Sequence, residues 1–141
     1  MTQPLKLAFI GIDNPHGAGW RDLIANVTTE ATITCVVPMY GGTTASLQQC
    51  YVNLPRYAST TELIANEPFD AAVICLPNDE TVEVVEQLAA AGKHILLEKP
   101  GAGRIADAEQ IKTAIDQTGV AFQSGYMFRY DQCANRLRQM I

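Results

Sequence analysis

Residues 72–100 read AVICLPNDETVEVVEQLAAAGKHILLEKP, and their succession of apolar run, turn, helical stripe, turn and second apolar run decides the fold. The run 71–76 has the length of a strand and no charged residue, which is how a strand buried on both faces reads. Pro77-Asn78-Asp79 stops it and offers an N-cap for a helix. Val82, Val85 and Leu88 mark that helix's apolar face, Gly92 ends it, and 94–97 supplies the next strand. A strand, a helix and a strand at this spacing form a crossover unit joining two parallel strands.

The same alternation extends outward in both directions. Upstream, 5–11 reads as the first strand, followed by a helix from Gly17 with Trp20, Leu23 and Ile24 on one face, and 32–37 as a second strand closed by Pro38. A loop over 39–44, a short helix over 44–50, a small strand at 56–58 and a helix over 60–65 fill the interval. Downstream, Ile105, Ala108, Ile111 and Ile115 repeat at helical spacing until Gly119. A last strand over 120–126 and a helix over 131–141 follow. The expected architecture is α/β: one doubly wound, mostly parallel sheet of about six strands occupying 1–141 as a single domain.

The composition agrees with a packed globular chain. Of 141 residues, 48% are hydrophobic and 18% charged, enough to bury roughly two-thirds of the unfolded surface. A net charge of -5 opposes attraction to phosphate backbones or anionic lipid, so neither nucleic acid nor membrane is an expected partner. The apolar run 7–12 is too short for a membrane span or a signal-peptide core, and a cytoplasmic location is expected. The four cysteines, Cys35, Cys50, Cys75 and Cys133, form no Cys-x-x-Cys pair, and only two histidines accompany them. Buried free thiols at Cys35 and Cys75 are expected, and no metal site.

Ligands in such sheets sit at the carboxyl ends of the strands, so the loops there hold the candidates. The first loop, Gly11-Ile12-Asp13-Asn14-Pro15-His16-Gly17, lies where a dinucleotide fold places G-x-G-x-x-G. Only Gly11 matches; Asp13 stands at the second glycine and His16 at the third. Asp13 repels a diphosphate, whereas a donating His16 and the helix N-terminus attract one. In the competing reading, Asp13 or Asn14 caps the first helix and His16 packs on the loop. After the second strand, Pro38-Met39-Tyr40-Gly41-Gly42-Thr43-Thr44 carries neither the acid that binds adenosine ribose nor the arginine that takes a 2′-phosphate. No acid occurs over 31–61 and no base over 22–55. Thr43, Thr44 and the amides of Gly41 and Gly42 offer phosphate contacts and Tyr40 a cover for adenine. The same residues also make an ordinary polar turn.

Pro77-Asn78, residues 91–94, Glu98-Lys99-Pro100, and Gly125-Tyr126 with Arg129-Tyr130 fall in the order and spacing of a known pattern. The chain resembles the N-terminal domain of the glucose-fructose oxidoreductase, inositol dehydrogenase and rhizopine-catabolism family (Gfo/Idh/MocA), with Thr81 replacing a histidine common after the P-N turn. The resemblance implies a Rossmann-like fold that binds NAD or NADP and takes part in oxidation or reduction of a sugar or polyol. It implies Lys99 as the catalytic lysine, near nicotinamide and substrate hydroxyl, positioned by Glu98 and Pro100. Together with the first loop, the candidate cofactor-binding residues are Gly11, Asp13, Asn14, His16, Pro77, Asn78, Glu98, Lys99 and Arg129. A solvated loop lysine is the competing reading for Lys99, and an internal salt bridge for Arg129.

The family's C-terminal substrate domain, which supplies the general acid/base histidine, is expected to be absent, so the chain is either a domain of a longer protein or a product without its second half. Weak dinucleotide binding is expected because of Asp13. Sugar or polyol binding is expected only with a second domain, and the chain alone is expected to be inactive. A homodimer burying Met127, Phe128, Leu137, Met140 and Ile141 is expected. The alternative function is a non-catalytic Rossmann-like module that has lost the dinucleotide and uses Asp13, His16 and the first helix for another ligand or partner.

Overall fold

The computed structural model describes residues 3–41, 51 and 53–141. Among these, five strands form one fully parallel sheet: β1 (Leu5–Ile10), β2 (Ala31–Val37), β3 (Ala71–Ile74), β4 (His94–Leu97) and β5 (Phe122–Ser124), in the order β2-β1-β3-β4-β5. The apolar runs of β1, β3 and β4 are continuous because each strand is covered on both faces. Ala8, Phe9, Ile10, Val73 and Ile74 are almost wholly buried. Helix α1 (Ala18–Ala25) covers one face through Trp20 and Ile24, packed with Phe9, Val36 and Val73. Helices α2 (Thr60–Asn66), α3 (Thr81–Ala90) and α4 (Ile105–Thr118) cover the other. A last helix, α5 (Gln132–Gln139), buries no residue.

The small strand expected at 56–58 is reduced to one parallel bridge, Val36 with Arg56, at the outer edge of β2. Pro55 interrupts the ladder by lacking an N–H, so pairing is confined to Val36 N–H donating to Pro55 C=O and Tyr57 N–H donating to Val36 C=O. Counting this bridge, the order is 3-2-1-4-5-6, that of dinucleotide-binding sheets, with the switch point between β1 and β3. The helix expected over 44–50, together with Cys50, Gly42, Thr43 and Thr44, lies outside the described residues.

Several expected positions are corrected. Leu23 is half exposed while Arg21 is buried, since its guanidinium donates to Ile12 C=O at 2.5 Å and lies over the Phe9 ring. Ile105 and Ala108 are exposed, and Asp107 is buried in their place beside Ile111, its carboxylate held by two hydrogen bonds from Arg104. Strand β3 ends at Ile74 and β5 spans only Phe122–Ser124. Pro77-Asn78-Asp79 supplies no cap: the N-cap of α3 is Glu80, without a side-chain bond. Cys35 and Cys75 are buried free thiols, as expected, and Cys133 is exposed. No helix among the described residues is long and apolar enough to cross a membrane, and no group of three potential metal ligands occurs among them.

Candidate functional site

The loop after β1 begins at a residue that only glycine can fill. Gly11 has φ +71°, and a Cβ there would lie 2.3 Å from the Cys75 carbonyl oxygen, so the close approach of β1 to the end of β3 depends on its missing side chain. Asn14 is almost fully buried and fixes the loop in two directions. Its Nδ2 donates to Cys75 C=O and its Oδ1 accepts from His16 N–H, both at 2.9 Å. Asn14, not Asp13, is therefore the cap, and it caps a 3-10 turn over Pro15–Gly17 that precedes α1. Asp13 turns the other way, and its Oδ1 accepts from Tyr40 N–H at 3.1 Å, joining this loop to the end of β2.

Residue 16 is not where the close-packing glycine sits. A Cβ on Gly17 would stand 3.0 Å from Arg21 Nη1 and 3.1 Å from the Phe9 ring, so Gly17 performs the packing role and the extra turn displaces it by one residue. His16 is left exposed on the rim. The buried Arg21 guanidinium, bonded to Ile12 C=O, puts a positive charge beneath the loop. That charge opposes the effect of Asp13 on an anion bound above.

The loop after β4 carries Glu98 and Lys99. The Glu98 side chain is only 11% exposed, whereas that of Lys99 is 51% exposed. The Trp20 indole N–H donates to Glu98 Oε2, which ties α1 to the end of β4. Gly125 admits this pair: its Cβ would lie 3.0 Å from the Trp20 ring and 3.1 Å from Glu98 Oε2. Lys99 Nζ lies 4.0 Å from Glu98 Oε1. Burial, helped by the Glu98 charge, pushes the neighbouring Cys75 thiol up to about 12, so it is no nucleophile. The Thr81 hydroxyl, fully buried, lies 2.7 Å from Gly101 C=O and 2.8 Å from Asn78 C=O, so it fastens the P-N turn to the Lys99 loop. Gly101, at φ +81°, packs where a Cβ would meet the Leu97 side chain at 2.8 Å.

These loops enclose a cleft of about 290 Å³ at the switch point, lined by Asn14, His16, Tyr40, Leu76, Pro77, Asn78, Glu98, Lys99 and Pro100. Gly11 and Asp13 are not in its described lining. Nor is Arg129: it is exposed on a turn over Met127–Arg129 after β5, and no ion pair among the described residues includes it. A second cleft of about 320 Å³ lies at the ends of β2 and β3, lined by residues that include Met39, Thr60, Asp79, Glu80 and Glu83. A larger groove of about 540 Å³ runs between α3 and α4. It is away from the strand ends, and its described lining holds no cation. Trp20, Arg21, Gly17 and Thr81 hold the loops around this cleft in place and are not among the candidates read from the sequence.

Residues 5–126 match the family described as "Oxidoreductase family, NAD-binding Rossmann fold". Among curated relatives, D-xylose 1-dehydrogenase (NADP(+)) 2 of Haloferax volcanii is 24% identical over 93% of this chain and 41% of its own length. An inositol 2-dehydrogenase of Corynebacterium glutamicum is 26% identical over 100% of this chain and 42% of its own. The scyllo-inositol dehydrogenase of Lactobacillus casei, solved with NAD(H) and scyllo-inositol, superposes with a TM-score of 0.83 at 21% identity, over 97% of this chain and 40% of that one. The chain thus spans about two-fifths of the length of these proteins. The match over 5–126, on a sheet whose switch point carries Gly11, Pro77-Asn78 and Glu98-Lys99-Pro100, makes this chain a member of the Gfo/Idh/MocA oxidoreductase family, with its NAD-binding Rossmann fold.

Proposed function

We propose that this chain is the cofactor-holding part of a sugar or polyol oxidoreductase and that Lys99 is its substrate-facing group. The cleft fits a dinucleotide: Gly11 and Gly17 remove side chains where the backbone must approach, and buried Arg21 supports a diphosphate from below. A bound nicotinamide dinucleotide supplies the hydride chemistry. The loop 11–17, with Asn14 and His16 on the cleft wall, would face the diphosphate, Pro77 and Asn78 the middle of the ligand, and Glu98 and Lys99 its nicotinamide end. Lys99 contributes a compact ammonium, half exposed and next to the buried Glu98 carboxylate, suited to orienting an alcohol oxygen and stabilising negative charge developing on it. Glu98 acts through Lys99 and Trp20 rather than on the substrate.

The observation that carries this reading is the placement of Lys99 in the same cleft as the loop that follows Gly11. Reductive methylation read by mass spectrometry tests it. With NADH present, Lys99 should be protected, while Lys112, exposed on α4 and paired with Asp116, should label at its original rate. Equal labelling of both at millimolar NADH would favour the second reading, a non-catalytic module, for which the Asp13 carboxylate beside the diphosphate position is the specific support.

A further inference from the structure

A ligand spanning the switch-point cleft and the second cleft would lie in one trough. Tyr40 and Asn78 line the first, and their chain neighbours Met39 and Asp79 line the second. With nicotinamide at Lys99, an extended dinucleotide places its adenosine at the opposite end, over β2 and β3. We propose that Asp79, Glu80 and Glu83 on the rim of that end restrict the trough to NAD(H) and exclude dinucleotides bearing a 2′-phosphate. This deepens the proposed function and rests on it.

The sequence offers no ribose-reading acid at the end of β2, because 31–61 contains none. The structure supplies carboxylates from the neighbouring turn and the first turn of α3 instead, a placement that the spacing along the chain does not reveal. Glu83 is held on its side of the helix by Gln87, whose Nε2 donates to Glu83 Oε1 at 3.0 Å. The described lining of this cleft contains no Lys, Arg or His, and the chain from 22 to 55 contains none either, so residues 38–55 after β2 bring no counter-charge.

Two of the hydroxyls lining this cleft make local contacts. Ser59 Oγ accepts from Glu62 N–H at 3.1 Å, and Thr60 Oγ1 points to Met39 Sδ at 3.8 Å. A ribose diol donates hydrogen bonds to carboxylates, whereas a 2′-phosphate dianion only accepts them and is repelled by all three. Arg56, exposed at the bridge to β2, is the nearest cation along the chain to this end of the trough and the natural competitor for a 2′-phosphate.

The test is calorimetry at low and high salt with NADH, NADPH, 5′-AMP and 2′,5′-ADP. It uses the unmodified chain, the double variant Asp79→Asn with Glu83→Gln, and Arg56→Gln. NADH should bind at least about tenfold tighter than NADPH, and 5′-AMP tighter than 2′,5′-ADP. Both ratios should shrink severalfold in the double variant and at high salt. Glutamine at 83 can keep the bond to Gln87, so a thermal melt equal to that of the unmodified chain separates the charge effect from misfolding. NADH and NADPH binding equally, or an unchanged ratio in a folded double variant, would overturn this inference while leaving the proposed function standing. A preference for NADPH that is lost in Arg56→Gln would overturn it in favour of the cation. Binding of none of the four ligands would remove the proposed function and this inference with it.

Discussion

Asp13→Asn should tighten dinucleotide binding, and Coulomb's law sets the size of the gain. Asparagine keeps the Oδ1 that accepts Tyr40 N–H at 3.1 Å, so the joint between the first loop and the end of β2 survives while the charge is removed. A carboxylate about 5 Å from one phosphate charge costs about 0.8 kcal/mol at the dielectric constant of water, and a second phosphate a little farther away adds a smaller amount. Arg21 lies beneath the loop in both proteins and cancels in the comparison. The net gain is therefore about 1 kcal/mol, or about fivefold in Kd at low salt. Salt near the physiological level, with a Debye length of about 8 Å, should reduce it to about twofold. Calorimetric titration of both proteins with NADH, at two salt concentrations, measures this. Unchanged or weaker binding in a variant that melts like the parent would refute the argument that Asp13 opposes the diphosphate.

Four other outcomes follow from the same geometry. Gly11→Ala forces a Cβ to within 2.3 Å of Cys75 C=O at positive φ, so it should cost about 3 kcal/mol and lower Tm by about 10 °C in a thermal melt. The Arg104 hydrogen bonds hold the Asp107 carboxyl below its ordinary value, so its stabilisation is present above the unfolded value near ~4 and is lost as pH falls through the folded value. Asp107→Asn should flatten the acid limb of Tm against pH, and an unchanged limb would count against the pair. Met127, Phe128, Leu137, Met140 and Ile141 are each more than half exposed, so the chain alone should self-associate, with light scattering showing a mass that rises with concentration. His94 Nδ1 accepts from Ala121 N–H at the far end of β4, and His16 lies on the loop proposed to face the diphosphate, so neither histidine is placed as general base for a substrate at Lys99. The chain alone should therefore give no nicotinamide absorbance change with sugars, inositols or their oxidised forms.

The unit β3-α3-β4 could be read from sequence because each strand is buried on both faces and each turn is marked by proline or glycine. The bridge at Arg56 could not be read with the same certainty, since Pro55 and a single paired position leave little periodicity. The third glycine was misplaced by one residue because the 3-10 turn over Pro15–Gly17 adds a position that spacing alone does not show. An arginine on a helix carries no sign of burial in its residue type, and only the contacts of Arg21 with Ile12 C=O and Phe9 show it to be buried. The Trp20–Glu98 bond joins residues 78 positions apart and has no local signature. Lys99 was legible through its motif and its place after a strand, while Arg129 matches the motif and stands outside the cleft.

The most direct measurement is a crystal structure of this chain grown with NADH. The account predicts a diphosphate against the loop 11–17, nicotinamide beside Lys99 and adenosine over Asp79, with the Trp20–Glu98 bond intact. NADH seated elsewhere, for instance in the groove between α3 and α4, or a cleft that stays empty at saturating NADH, would contradict it.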